Sequence, residues 1–307
     1  MRIGINGSSL IALGAPLAEL VDHAAQAEAD GFSSYWVAQL AVPDALTAIA
    51  VMGAKTSTIE LGTAVIPTWP RHPLMLAAQA LTVQDAIGPR LVLGIGLAHK
   101  SSIEGTLKIP FATPAKHMDE YLRVLLPALT DRKVSFEGDI WSAETDGVGG
   151  PAHVEAPTVM LAAMGPQMLR LAGERTAGSI LWLSGPKAIA EQIKPALDRA
   201  AADAGRPAPR IVASVPVCVT NKPDEVKAMV ATLLEGYNDL PSYRGVMDAE
   251  GAGGPADVSL IGSEDAVRAG LAAFAAAGAT DFSALEFVVD PADAAPTRAL
   301  LADVARG

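Results

Sequence analysis

Between Ile59 and Ser101 the chain reads IELGTAVIPTWPRHPLMLAAQALTVQDAIGPRLVLGIGLAHKS, a complete strand–helix–strand unit. Residues 59–66 are an apolar run rich in β-branched side chains, the pattern of a buried strand. Pro67, Pro70 and Pro73 end that run, and His72-Pro73 opens a helix with proline in its first turn. Leu74, Ala77, Ala78, Leu81 and Ala86 recur at helical spacing until Gly88-Pro89, and a second apolar strand follows over 90–95. Two buried strands joined by one helix lie parallel, with a right-handed crossover. The loops leaving both strands then share one face, which in parallel α/β folds is where ligands bind.

The same alternation runs through the whole chain. Strands are expected over 2–5, 34–37, 59–66, 90–95, 158–163, 179–183, 211–220 and 282–289. Helices are expected over 16–30, 44–55, 114–129, 166–177, 187–204, 223–237, 263–277 and 296–304. Eight strand–helix units predict a closed (β/α)8 TIM barrel forming a single domain over 1–307, since such a barrel needs about 250 residues. The surplus falls in insertions about 100–156, after the fourth strand, and about 240–262, before the last helix–strand unit. The first carries a hairpin around Glu137-Gly138-Asp139, and both are expected to cover the barrel's top. A doubly wound open sheet is the rival architecture. Its first turn would carry a G-x-G-x-x-G fingerprint, which residues 6–15 lack.

Of 307 residues half are apolar and 19% charged, which suits a large core. A net charge of −11 argues against nucleic acid and anionic membrane surfaces as partners. It does not argue against an anionic small molecule, which backbone donors can hold. The lone Cys218 sits in an apolar run and reads as a buried thiol in a reducing compartment. Met1-Arg2 leads straight into a strand, so a cytoplasmic protein is expected. The five histidines show no metal-ligand spacing, and no metal is expected.

Several stretches together resemble the luciferase-like monooxygenase superfamily, in its coenzyme F420 (deazaflavin)-dependent oxidoreductase branch common in actinobacteria. They are Asp44-Ala45-Leu46-Thr47, LGTAVIPTWPRHP over 61–73, Leu93 to His99, Glu120-Tyr121-Leu122, and Leu161 to Pro166 followed by Leu171-Ala172-Gly173. The resemblance implies a barrel that holds F420 at the strands' C-terminal ends and transfers a hydride to or from a small organic substrate. An FMN-dependent monooxygenase of the same superfamily is the alternative, and a non-catalytic flavin-binding barrel a further one. Relatives often dimerise, so a homodimer stays open.

Site residues follow from the resemblance and from local chemistry. Relatives carry a bulge with a non-prolyl cis peptide in the third strand, and here this corresponds to Ala64-Val65, with Gly62 and Thr63 beside it. In Ala162-Ala163-Met164-Gly165-Pro166 a strand ends in small residues and a helix begins, leaving N–H groups free for a phosphate. A plain strand-to-helix turn is the competing reading. In Gly94-Ile95-Gly96-Leu97-Ala98-His99 the glycines allow close approach of a planar ring, and no helix is expected to begin there. His99 can donate a hydrogen bond to cofactor or substrate, or else cap the loop. Gln39 stands where many relatives have an acid or histidine; it can hydrogen-bond but cannot act as acid or base. Trp69 and Tyr121 are candidates for the substrate pocket, against loop and core packing respectively, and Trp36 is expected near the ring.

Overall fold

The computed structural model describes residues 1–40 and 42–307. Eight parallel strands close into a barrel: β1 (Arg2–Asn6), β2 (Ser34–Val37), β3 (Glu60–Thr63, resuming at Ile66–Pro67), β4 (Leu91–Gly96), β5 (Thr158–Ala162), β6 (Gly178–Trp182), β7 (Arg210–Ser214, resuming at Pro216–Val219) and β8 (Asp281–Glu286). Closure is direct, with Arg2 to Ile5 of β1 registered on Asp281 to Ala284 of β8. The expected TIM barrel is therefore the observed fold.

Side chains alternate in and out along each strand. Ile3, Ile5, Tyr35, Val37, Leu93, Leu161 and Phe282 face the helices in the large outer core. The interior is layered. At its floor Arg210 bridges Asp281 (2.9 Å) and Glu60 (3.2 Å), and Arg2 bridges the same two acids. Above this lies a small apolar layer of Trp36, Val92, Met160, Ile180 and Val212. Gly62 makes room for Trp36, since a Cβ there would sit 2.4 Å from the indole. Trp36 is thus fully buried below the mouth, its N–H bonded to Ser34 Oγ at 2.9 Å.

Two strands are interrupted. In β3, Gly62 pairs with Val92 and Ile66 with Ile95, so β3 holds one residue more than β4 over the same span, a bulge. The Ala64–Val65 peptide inside it is cis. Thr63 Oγ1 fills the gap in the ladder, donating to Gly94 O (2.7 Å) and accepting from Gly94 N–H (2.9 Å). In β7 the break at Val215 changes neighbours. Arg210–Ser214 pairs with β6, whereas Pro216–Val219 pairs with a short extra strand, Leu260–Gly262.

The first insertion contains the helix Pro114–Thr130 and the predicted hairpin, Val134–Glu137 with Ser142–Thr145. It also corrects one expectation: a single π-helical turn, Ser101–Thr106, begins directly after His99. The His99 carbonyl starts it, accepting from the N–H groups of Ser102 and Ile103, each at 3.0 Å. The second insertion is more ordered than a loose cover. Its helix Pro241–Glu250 starts on proline and ends at Gly251, whose φ of +78° is the left-handed stop. Among the described residues no helix is long and apolar enough to cross a membrane.

Candidate active site

The barrel's upper opening is built from small residues. Inward positions at the strand tops include Gly96 and Ala162, and a Cβ on Gly96 would lie 2.7 Å from Val65 and 3.1 Å from Ala162. These three residues converge there. Ala64, Val65, Ala98, Ala162, Met164 and Gly165 are all half-buried, whereas the strands beneath them are closed to solvent. Gly94 plays another part. Its missing Cβ would meet Thr63 O at 1.9 Å, so this glycine admits the β3 bulge rather than a ligand. Gly62 likewise serves Trp36, as above.

Ala98 adopts φ +55°, and the chain then turns His99 onto the top face. The His99 ring is half-buried and meets Tyr237 (5.8 Å) and Tyr243 (5.7 Å) edge-on. Burial lowers its pKa below the ordinary 6.5, so at neutral pH the imidazole is uncharged.

After β5 the chain enters the helix Pro166–Arg175 through Gly165 (φ −84°, ψ 155°). No side chain caps this helix, and a Cβ on Gly165 would meet nothing within 4 Å. Its first N–H groups and the positive end of its dipole are open to an anion. Ser179 holds the preceding Ala163 on both sides, donating to its carbonyl (2.8 Å) and accepting from its N–H (3.2 Å). The corresponding start after β6 differs. There Gly185-Pro186 is covered by Glu250 of the second insertion, whose carboxylate accepts from Ala188 N–H at 3.0 Å.

Gln39 lies two residues beyond the end of β2, and its Oε1 is engaged by Ala45 N–H (2.9 Å) and by Arg71 (3.3 Å). Arg71 also holds Asp44 and Gln79, so Gln39 belongs to a polar rim network. Trp69 stacks on His117 at 3.7 Å and touches Phe111 at 5.0 Å. Tyr121 is fully buried against His117 and Trp141. The indole N–H of Trp69 and the Tyr121 hydroxyl are buried without partners among the described residues. Both side chains therefore pack into an aromatic cluster between the loop after β3 and the first insertion, and no described ring contact links them to His99. The sequence reading missed Trp182, Tyr237 and Tyr243. Trp182 carried a signal, as a large aromatic at a strand's C-terminal end.

The sequence profile of the family described as luciferase-like monooxygenase matches residues 3–281. A 5,10-methylenetetrahydromethanopterin reductase of Methanolobus tindarius is 25% identical over 240 residues, 76% of this chain and 72% of that protein. An F420-dependent glucose-6-phosphate dehydrogenase of Microbacterium testaceum is 28% identical over 229 residues, 70% of this chain and 67% of that protein. Among solved structures, the coenzyme F420-dependent tetrahydromethanopterin reductase from Methanopyrus kandleri superposes with a TM-score of 0.81 at 20% identity. That match covers 98% of this chain and 97% of the other.

Proposed function

Because this chain belongs to the luciferase-like monooxygenase family, we propose that it is an F420-dependent oxidoreductase, transferring a hydride between the deazaflavin and a small organic substrate. The relative named for F420 chemistry, the glucose-6-phosphate dehydrogenase of Microbacterium testaceum, supports this reading. The observation that carries it is the half-buried run of small residues from the β3 bulge across β4 to the start of the helix after β5. Such a surface suits a flat ring at one end and a phosphate at the other.

Ala64, Val65, Gly96, Ala98 and Ala162 would border the ring. The backbone N–H groups of Gly165, Gln167 and Met168, flanking Pro166 at the helix start, would hold the coenzyme's phosphate, where the open space at Gly165 leaves room for it. When bound, the coenzyme supplies the carbon that carries the hydride. The apolar layer of Trp36, Val92, Met160, Ile180 and Val212 would close the barrel beneath the bound coenzyme and keep bulk water from below. His99, uncharged at neutral pH, offers one N–H and one lone pair at the rim. Gln39 is committed to Ala45 and Arg71, so proton exchange falls to His99, a tyrosine or solvent. A cytoplasmic location fits coenzyme-linked chemistry of this kind.

Titration of the purified protein with F420 and, separately, FMN, followed by tryptophan fluorescence, tests the reading. Saturation by F420 and not FMN is expected. The reverse preference would move the protein to FMN-dependent oxygenation, and binding without turnover of any reducible substrate would leave a ligand-carrying barrel.

A further inference from the structure

Three aromatic side chains outside the family-derived site cluster beside His99, two of them in direct ring contact with it and the third through Tyr237. Trp182 is the inward residue at the top of β6, while Tyr237 comes from the turn Glu235–Asp239 just before the second insertion and Tyr243 from its helix Pro241–Glu250. Tyr237 lies 6.4 Å from Trp182 and 4.7 Å from Tyr243, ring centre to ring centre, and the planes cross at 66° and 69°. With the two edge-on contacts to His99, the four rings form a box of mutually steep walls. Its backing is apolar and buried: Leu183, Met247, Ala252 and Val258. Glu250 ties the same helix to the loop after β6.

The charges around the box are one-sided. Residues 235–250 carry Glu235, Asp239, Asp248 and Glu250 against a single Arg244. Arg244 is spent on Asp248 (2.7 Å) and the Gly253 carbonyl (3.1 Å). Within this segment an anionic substrate would find acids and no available cation. Both phenols keep their protons, because burial raises their pKa values. Neither hydroxyl donates to another described residue; the Trp182 N–H approaches that of Tyr237 without completing a bond.

We propose that Trp182, Tyr237 and Tyr243, together with His99, are the specificity-determining residues, and that they select flat, uncharged, conjugated carbonyl compounds. Ring faces take the plane of the substrate, and a tyrosine hydroxyl donates to its carbonyl oxygen. The choice of class rests on the oxidoreductase reading above, since a conjugated carbonyl accepts a hydride. The existence of the box does not.

The test is calorimetric binding of coumarin, glucose 6-phosphate and benzyltrimethylammonium to the protein loaded with oxidised F420. Coumarin is expected to bind most tightly. Tyr237→Ala and Tyr243→Ala should each weaken it about fivefold to tenfold, the worth of an aromatic contact. F420 affinity should stay within about twofold of wild type, as an unshared site requires. Tyr237→Phe/Tyr243→Phe preserves the rings and should lose only the share of the hydroxyls, so it decides the question if an alanine variant unfolds. Unchanged coumarin affinity in the alanine variants, or in the double phenylalanine variant where those unfold, would overturn the proposal. Tighter binding of either charged probe would do the same. If F420 itself fails to bind, the oxidoreductase reading falls, and coumarin binding to the unloaded protein still judges the box.

Discussion

His117 shows how one buried side chain can be held in a single protonation state. The Trp141 indole donates to Nδ1 at 3.2 Å, so Nε2 carries the proton and donates to Thr68 Oγ1 at 2.9 Å. Thr68 in turn donates to the Gly96 carbonyl at 3.3 Å, beside the barrel's opening. A second proton would have to enter Nδ1 against the indole N–H. Burial lowers the pKa to about 4, despite the opposing pull of Glu120. The unfolded chain takes up this proton near 6.5, the folded one only near 4. This contribution to stability is therefore complete above pH 6.5 and is lost as pH falls towards 4. Thermal melts across that window should show wild type losing stability, and His117→Gln, less stable at pH 7, showing a flatter profile. Parallel profiles would refute the assignment.

At the scale of elements, the second insertion is held by a helix-end contact as well as by packing. Replacing Glu250 with glutamine keeps its size and removes the charge facing the Ala188 N–H. A charge-assisted bond at a helix start is worth about 1–2 kcal/mol. Hydrogen exchange in residues 241–250 should accordingly speed up about tenfold, with exchange in β4 and β5 unchanged. Equal rates would mean that the apolar cluster alone fixes the helix. The helix itself went unread in the sequence, which offered only a covering insertion about 240–262, although Pro241 and Gly251 bracket it as start and stop. All eight barrel strands were legible, because buried parallel strands must be short β-branched runs, and turn residues punctuate them. The docking was not legible. Tyr237 and Tyr243 reach His99 only because the chain between β7 and β8 folds back over β6, and no local pattern encodes that. Direction was equally hidden for Trp36, whose inward turn depends on the space left by Gly62 on a different strand. The small residues at the opening could be read, because Ala162 to Pro166 follow directly from a strand end.

For the whole molecule, the ionic floor ties together strands from both ends of the chain. Asp281 is almost fully buried, with its side chain 3% exposed, and burial alone would raise its carboxyl. Hydrogen bonds from Arg210 and Thr280 and the charges of Arg210 and Arg2 outweigh that and hold it below 3.8. Its contribution is complete above 3.8, where the unfolded chain's carboxyl is ionised, and is lost as pH falls below that through the lower folded value. Asp281→Asn should lower the melting temperature at pH 7, because Arg210 is left buried with one partner fewer; losing part of a buried pair typically costs about 3–5 kcal/mol. The variant should also lose less on acidification from pH 5 to pH 3 than wild type does. A variant as stable as wild type at pH 7 would show the floor to be dispensable for closure.

The change of partner at Val215 has an evolutionary consequence. Below it, β7 is bound on both sides by barrel strands, and any slip in register would be transmitted around the closed ring. Above it, on the side facing β6, β7 is bound to a strand that the insertion itself supplies. Residues can be gained or lost between 220 and 260 without altering the closure beneath. Lineages sharing this scaffold can thus diversify what they recognise along one seam while inheriting the rest of the architecture intact.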